Sequence, residues 1–356
     1  MGYITQKKNT SAGSILLLVL WALVFLSLLT VASGTIARQQ ILLSDNIEKR
    51  VELYSLLSSG AMIMLDVVGA AEGKDIFNEK DMVEILTEKE PAFSGIVRLG
   101  NGVFSWGEGE EAVPEEEENT RRFGLVDETG KINVNFADIN ILTKILTIAG
   151  ALDASKAGVL AGNIIDWRDQ NDTVLAGESI AGESAGYSRS EHKYEPRNRP
   201  FVSLEELLLV LGMEPEVFVK VRDHLTVYGD GKININTASA EVLEAMGISK
   251  VLSGRIINFR KGDTSRGENP ENRVFRVPGD LRGVLEEKGE GQIREEDMVE
   301  VDNLLLSGIV GTEAEVFSFL CTGKLDRGGP EGRLLCAFDR TGKLLYWGYF
   351  MVRGEE

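Results

Sequence analysis

Five carboxylates, Asp166, Asp169, Asp172, Glu178 and Glu183, fall within eighteen residues, interspersed with Gly177 and Gly182. Oxygen donors on a pliable loop suit Ca²⁺, which takes about six to eight of them. The spacing is not that of an EF-hand, and a solvated acidic loop would use the same residues. Asp166 and Asp169 also flank Trp167 and Arg168, so one of them can serve simply to end a helix. Thiolate–imidazole zinc chemistry is disfavoured. Four ligands would need both histidines, His192 and His224, and both cysteines, Cys321 and Cys336, which lie far apart in the chain. Ser184, in "GESAG", has no strand-to-helix elbow before it, and neither histidine has a context that suggests a base. No catalytic residue is assigned and no enzyme is expected.

A second constellation is a phrase written twice, "GKINVNFAD" from Gly130 and "GKININTAS" from Gly231. Asn-rich turns that open a helix resemble the helix-hairpin-helix of competence-type DNA receptors. There a Gly-x-Gly turn offers backbone N–H groups to a phosphate. Here the second copy turns at Met246-Gly247-Ile248-Ser249, with Ser at the second glycine position, and the first at "IAGALDAS". Arg255, Arg260 and Lys261 are available, but Glu241 and Glu244 lie close by. With 38 basic and 56 acidic residues the formal charge is −18, a field that opposes a phosphate backbone. Both copies are therefore read as structural, the Asn side chains bonding backbone and capping helices, with Ala137 and Ala238 allowing close packing.

The elements that must position these residues begin with an apolar run. Ser14 to Ser33 holds twenty residues without a charge, about 30 Å of helix and enough for a hydrocarbon core. Lys7 and Lys8 precede it, so the positive-inside tendency places everything after Arg38 across the membrane. A plain anchor, a signal peptide cut near Ala32-Ser33-Gly34, and a prepilin-type signal cut between Gly13 and Ser14 all fit this segment. Beyond it, Ile41, Leu42, Ile47, Val51, Tyr54, Leu57, Ala61 and Leu65 recur at helical spacing, so the helix is expected to continue as an amphipathic stalk.

Gly95 to Trp106 alternates around Gly-Asn-Gly and reads as a hairpin, and the acidic run Glu108 to Glu118 as a solvated loop. Helical periodicity holds from Ile132 to about Met298, with Ser203 and Glu206 spaced as a capping box and Gly212 as a stop. Strand alternation returns in "EVFSFLCTGKL" and "GRLLCAFDRTGKLLYWGYF". If that hairpin centres on Gly328-Gly329, Cys321 faces Cys336. A disulfide and a pair of small buried thiols both satisfy that placement.

These features together resemble the K-type minor pseudopilins of type II secretion, the general secretion pathway protein K family. The likeness rests on "LVDETGKINVNFAD", "IIDWRDQND", "GESAGY", "NRPFVSLEELLLVLGM" and "YGDGKININTASAEVLEAM", in that order. The stretch Thr173 to Ala181 is longer than the family pattern, and the acidic run has no counterpart in it.

The resemblance implies an α+β, pilin-like fold: a long N-terminal transmembrane and amphipathic helix, a small antiparallel sheet, and a large inserted all-α domain with two helix-hairpin-helix-like units. The expected divisions are a leader (1–13), the membrane part of the helix (14–36) and its amphipathic continuation (37–70). Then come the first part of the α/β domain (71–130), the insert (131–300) and the C-terminal strands (301–356). The resemblance further implies cleavage by a prepilin peptidase between Gly13 and Ser14, methylation, and calcium held by some of the five carboxylates. It implies a bacterial inner-membrane anchor with the bulk of the chain in the periplasm. Partners would be the I-, J- and H-type minor pseudopilins, the major pseudopilin, the secretin and secreted substrates. The fifth residue after cleavage would be Leu18, where most pilins carry a glutamate that pairs with the amine of the subunit above. A carboxylate at membrane depth is costly unless paired, so Leu suits a tip subunit that starts assembly. The alternatives are a membrane-anchored helix-hairpin-helix DNA-uptake protein and a minor tip pilin of a type IV pilus.

Overall fold

The structure, a computed structural model, describes residues 11–69, 75–78, 81, 96–107, 125–170, 196–261, 273–286 and 295–352. Helix α1, Ser11–Gly69, runs 59 residues without a break, about 90 Å at the rise of an α-helix. Its apolar N-terminal stretch is exposed, and it is the only helix among the described residues long and apolar enough to cross a membrane.

The C-terminal quarter of α1 packs on an antiparallel sheet. Strands β1 (Val97–Leu99) and β2 (Gly102–Trp106) form the expected hairpin, turning at Gly100 with φ +58°. β3 (Leu125–Asp127) follows. Two-residue strands then occur at β4 (Ile132–Asn133), β5 (Leu225–Thr226), β6 (Ile233–Asn234) and β7 (Val310–Gly311). The long strands β8 (Val316–Leu325), β9 (Glu331–Asp339) and β10 (Leu344–Val352) complete the sheet, in the order β1-β2-β8-β9-β10. β8 is the hub, since β2 pairs with its C-terminal half and β3 with its N-terminal half along one edge.

Against this sheet α1 buries Leu53, Leu56, Leu57, Ala61, Met64 and Val68, which meet Phe104, Trp106, Phe317, Phe319 and Phe338. The stripe read from the sequence is therefore displaced. Leu57 and Ala61 lie on the buried face, but Ile41, Leu42, Ile47, Val51 and Tyr54 stay exposed. Two apolar stripes share this helix, and periodicity alone does not say which one the sheet covers.

Cys321 and Cys336 require a correction. β8 and β9 pair so that Cys321 faces Leu334 and Cys336 faces Phe319. The turn centres one residue earlier than Gly328-Gly329, which shifts the strands by two residues and sets the cysteines diagonally rather than opposite. Both thiols are free and buried. Burial pushes both pKa values up, that of Cys336 to about 12.

Between β3 and β8 the chain builds a second core from α2 (Ile139–Ile148), α3 (Ala154–Arg168), α4 (Pro215–Val221), α5 (Ala240–Ala245), α6 (Lys250–Lys261), α7 (Asp280–Glu286) and α8 (Glu295–Ser307). Val301, Leu304 and Val310 belong to that core, so the helical unit ends near β7 rather than at residue 300. The segment expected as a capped helix, Leu204–Leu209, is 3₁₀-helical instead. Glu206 Oε1 still accepts from the N–H groups of Val202 and Ser203, at 3.1 and 3.4 Å, and pairs with Arg197.

Candidate functional site

The repeated phrase is where the helical unit is held together. In the first copy Asn133 sits at the end of β4, which runs parallel to β5. Asn133 Oδ1 accepts from Asn135 N at 2.9 Å, and its Nδ2 donates to the carbonyls of Tyr228 and Gly229. Asn135 is itself locked to Phe201 in both directions, Nδ2 to O at 3.0 Å and Phe201 N to Oδ1 at 2.7 Å. Asp138 caps α2 through Asn140 N and Ile141 N, and Arg168 reaches back from α3 to donate to Val134 O and Ala137 O.

The second copy repeats each part. β6 runs parallel to β7, Asn234 Oδ1 accepts from Asn236 N, and Asn236 is locked in both directions to Phe275. Ser239 caps α5, and Arg260 reaches back from α6 to Ile235 O at 3.0 Å and Ala238 O at 2.9 Å.

The copies also clasp each other. Asn133 donates to the residues just before copy two, and Asn234 donates to Asp127 Oδ2, just before copy one, at 2.8 Å. A side chain at Gly130 would collide with Thr237, and one at Gly231 would come within 2.7 Å of Phe136. α2 packs on α5 between them. The contact is reciprocal, as between two subunits about a two-fold axis. Each phrase uses glycine because the other phrase occupies the space.

Two carboxylates join this pair to the sheet. Asp127, at the end of β3, accepts from Thr129 N and Oγ1, from Asn234 Nδ2, and from Thr237 Oγ1 at 2.6 Å. Glu128 accepts from Ser318 of β8 at 2.6 Å and from Thr226 of β5 at 2.7 Å, and pairs with Lys131 at 2.7 Å. Both carboxylates are buried, and a buried charge persists only when donors surround it. Burial, and after it the Glu128 charge, pushes the Tyr228 hydroxyl pKa up. Thus "DETG" does not simply precede the repeat. It ties sheet, first copy and second copy into one joint.

This geometry bears on nucleic acid. Arg260 is committed to two backbone carbonyls, and Arg255 donates to Leu285 O at 3.3 Å. Two of the cations a DNA-binding hairpin would present are thus used to close the fold.

Of the five carboxylates, Asp166 is buried on the last turn of α3, and Asp169 caps that helix, its N–H donating to Ile165 O at 3.0 Å. One aspartate thus does terminate the helix. Asp172, Glu178 and Glu183 lie outside the described residues, and no metal-binding cluster occurs among the described ones. The two placed carboxylates sit one helical turn apart where the chain leaves α3. As hard oxygen donors they fit calcium rather than a thiolate-seeking metal. Gly13 and Ser14 lie in the first turn of α1, and Leu18 on its exposed apolar stretch. Sequence reading missed Arg168, Asp127 and Glu128. Their one signal was position, the acids directly before the repeated phrase and each arginine at the end of the second helix that follows.

A long protruding helix on an antiparallel sheet, interrupted by a large helical unit, defines a pilin-like fold with an inserted domain. Residues 125–230 match the family model for type II secretion system (T2SS), protein K. The fold is also that of a chain in the crystal structure of the GspK-GspI-GspJ complex from the enterotoxigenic Escherichia coli type 2 secretion system. The TM-score is 0.56 at 14% identity, covering 88% of this chain and 99% of that one. A comparison with curated protein sequences returned no match. Over residues 125–230, the chain is thus similar to the type II secretion system protein K family.

Proposed function

We propose that this chain is the minor pseudopilin that begins a periplasmic pseudopilus and occupies its tip, helping folded proteins leave across the outer membrane. The observation that carries the reading is the bare stalk. If residues 14–36 span the bilayer, residues 37–52 form about 24 Å of helix between membrane and head. That stretch exposes Ile41, Leu42, Leu43, Ile47 and Val51. Such a stripe in water needs covering, and helices rising from the same membrane can cover it along its length. The relative named above is in complex with GspI and GspJ, which supports I- and J-type minor pseudopilins as those helices. The H-type and major pseudopilins would lie further down the stack. The inserted helical unit, tied rigidly to the sheet, would crown the assembly and leave no seat above it, near the secretin and secreted substrates.

Prepilin peptidase cleavage between Gly13 and Ser14, followed by methylation, places Leu18 fifth and leaves no unpaired acid in the membrane. Calcium held by Asp166 and Asp169 with donors from the following loop would stiffen the exit of α3. The protein acts by assembly, not catalysis. N-terminal sequencing of the membrane-extracted protein tests the reading directly. A mature chain starting at Ser14 is expected, and an intact Met1 in cells with active peptidase would refute it. Labelling of the filament should place the protein at one end; labelling along its length would also refute the reading.

A further inference from the structure

β10 is the last strand of the sheet, and among the described residues nothing pairs with its outer edge. Its nine residues, "LLYWGYFMV", contain neither charge nor proline. Natural sheet edges are usually blunted by lysine, proline or a bulge. The one register shift here falls at its start, between Leu344 and Tyr346, so Tyr346–Val352 pairs regularly with β9. Leu344, Leu345 and Phe350 are exposed. A bare edge of this kind is a template for an added strand.

The occupant follows from what adjoins that edge. Tyr349 of β10 meets Tyr54 of α1 edge-on, ring centroids 5.3 Å apart. Tyr54 continues the exposed stripe of Ile47 and Val51 on the stalk. Edge and stripe are therefore one surface. A helix laid along the stripe rises from the same bilayer, so it delivers its own head domain beside β10. We propose that β10 takes an edge strand from the head of the neighbouring membrane-anchored pilin-like subunit whose helix covers Ile47, Val51 and Tyr54. The two subunits then share a continuous sheet. Main-chain hydrogen bonds fix the axial position of one head against the other, which an apolar helix stripe by itself fixes poorly. This inference rests on the packing proposed above.

Amide hydrogen exchange tests it on the full-length protein in detergent, alone and in complex with co-expressed I- and J-type pseudopilins. In an antiparallel edge strand about half of the N–H groups point away from the sheet. Those of Tyr346–Val352 should exchange at least ~10-fold more slowly in the complex, the protection expected when a free amide enters a ladder. Phe350→Lys should weaken assembly, while Leu306→Lys, on the helical unit, should not. Protection around Val51 without any change in β10 would overturn the strand addition and leave the helix packing standing. No protection at either place would overturn both.

Discussion

Arg260 gives the sharpest test of the claim that the repeated phrase is structural. Its guanidinium donates to Ile235 O and Ala238 O at 3.0 and 2.9 Å, both carbonyls of the second repeat. Replacing it with methionine keeps most of the apolar stem and removes the donors. A hydrogen bond to a charged group contributes about 1.5–3 kcal/mol, and a carbonyl left buried without a partner costs about 1–3 kcal/mol. These figures describe overlapping losses. Water can also reach a half-buried site, so the net for both bonds is about 2–4 kcal/mol. For a cooperative unit of this size each kcal/mol lowers Tm by roughly 2–4 °C, so a fall of roughly 4–16 °C is expected. Arg260→Lys, which cannot fork to two carbonyls, should fall about halfway. Lys250→Met, at an exposed position, should stay within about 0.5 kcal/mol of the parent. The assays are thermal melts, for Tm, and urea unfolding, for the free energy, of the full chain in detergent, both followed by tryptophan fluorescence and the latter checked for unchanged m-values. If Arg260→Met left stability unchanged but abolished salt-sensitive retention on duplex DNA, the structural account of the repeat would be wrong.

Other outcomes follow from the same geometry. Gly130→Ala should separate the repeats, because the new methyl runs into Thr237; about 1–3 kcal/mol of overpacking is expected, against a gain of up to about 1 kcal/mol for Gly158→Ala, which meets open space inside α3. Millimolar calcium should raise Tm by mass action, and Asp166→Asn or Asp169→Asn should diminish the rise; a Tm indifferent to calcium would remove the ion from the account. Thiol titration should find no reactive cysteine in the native chain and two after unfolding, with no mass change on reduction. Alkaline stability carries a sign. The folded pKa of Cys336 is raised from 9.0 to about 12, so its contribution is intact below pH 9 and is lost as pH climbs toward 12. Cys336→Ala should flatten part of that alkaline decline, and an identical slope in both proteins would count against the burial argument.

The sequence made some of this molecule legible and hid the rest for physical reasons. A twenty-residue uncharged run, the Gly-Asn turn at Gly100 and Asn101, and the alternation in β8 and β9 are local signals, and each became the expected element. The stripe on α1 misled because Tyr54 and Leu57 both satisfy helical spacing, while only contact with Phe104 and Phe338 selects the Leu57 face. Cysteine pairing failed by two residues of register, a quantity fixed by the turn and not by strand composition. The roles of Asp127, Glu128, Arg168 and Arg260 depend on partners up to 190 residues away, beyond any window of local pattern. Asn133 and Asn234 were noticed because they repeat, and only the fold shows that each holds the chain that leads into the other's phrase.

Asp127 closes β3 and Val316 opens β8, and the two strands are immediate neighbours, with Asp127 opposite Phe317. Both ends of the span between them therefore meet at one paired stem, with a further tie where Asn234 donates to Phe77 O at 2.8 Å. Cutting it away would leave the sheet needing only a tight loop to reconnect, so the bulk carried there can be exchanged, enlarged or pared without disturbing a strand. The orientation of that bulk is another matter. It is held in large part by two buried acids at the stem, so aiming it differently would mean rewriting those four letters, D-E-T-G.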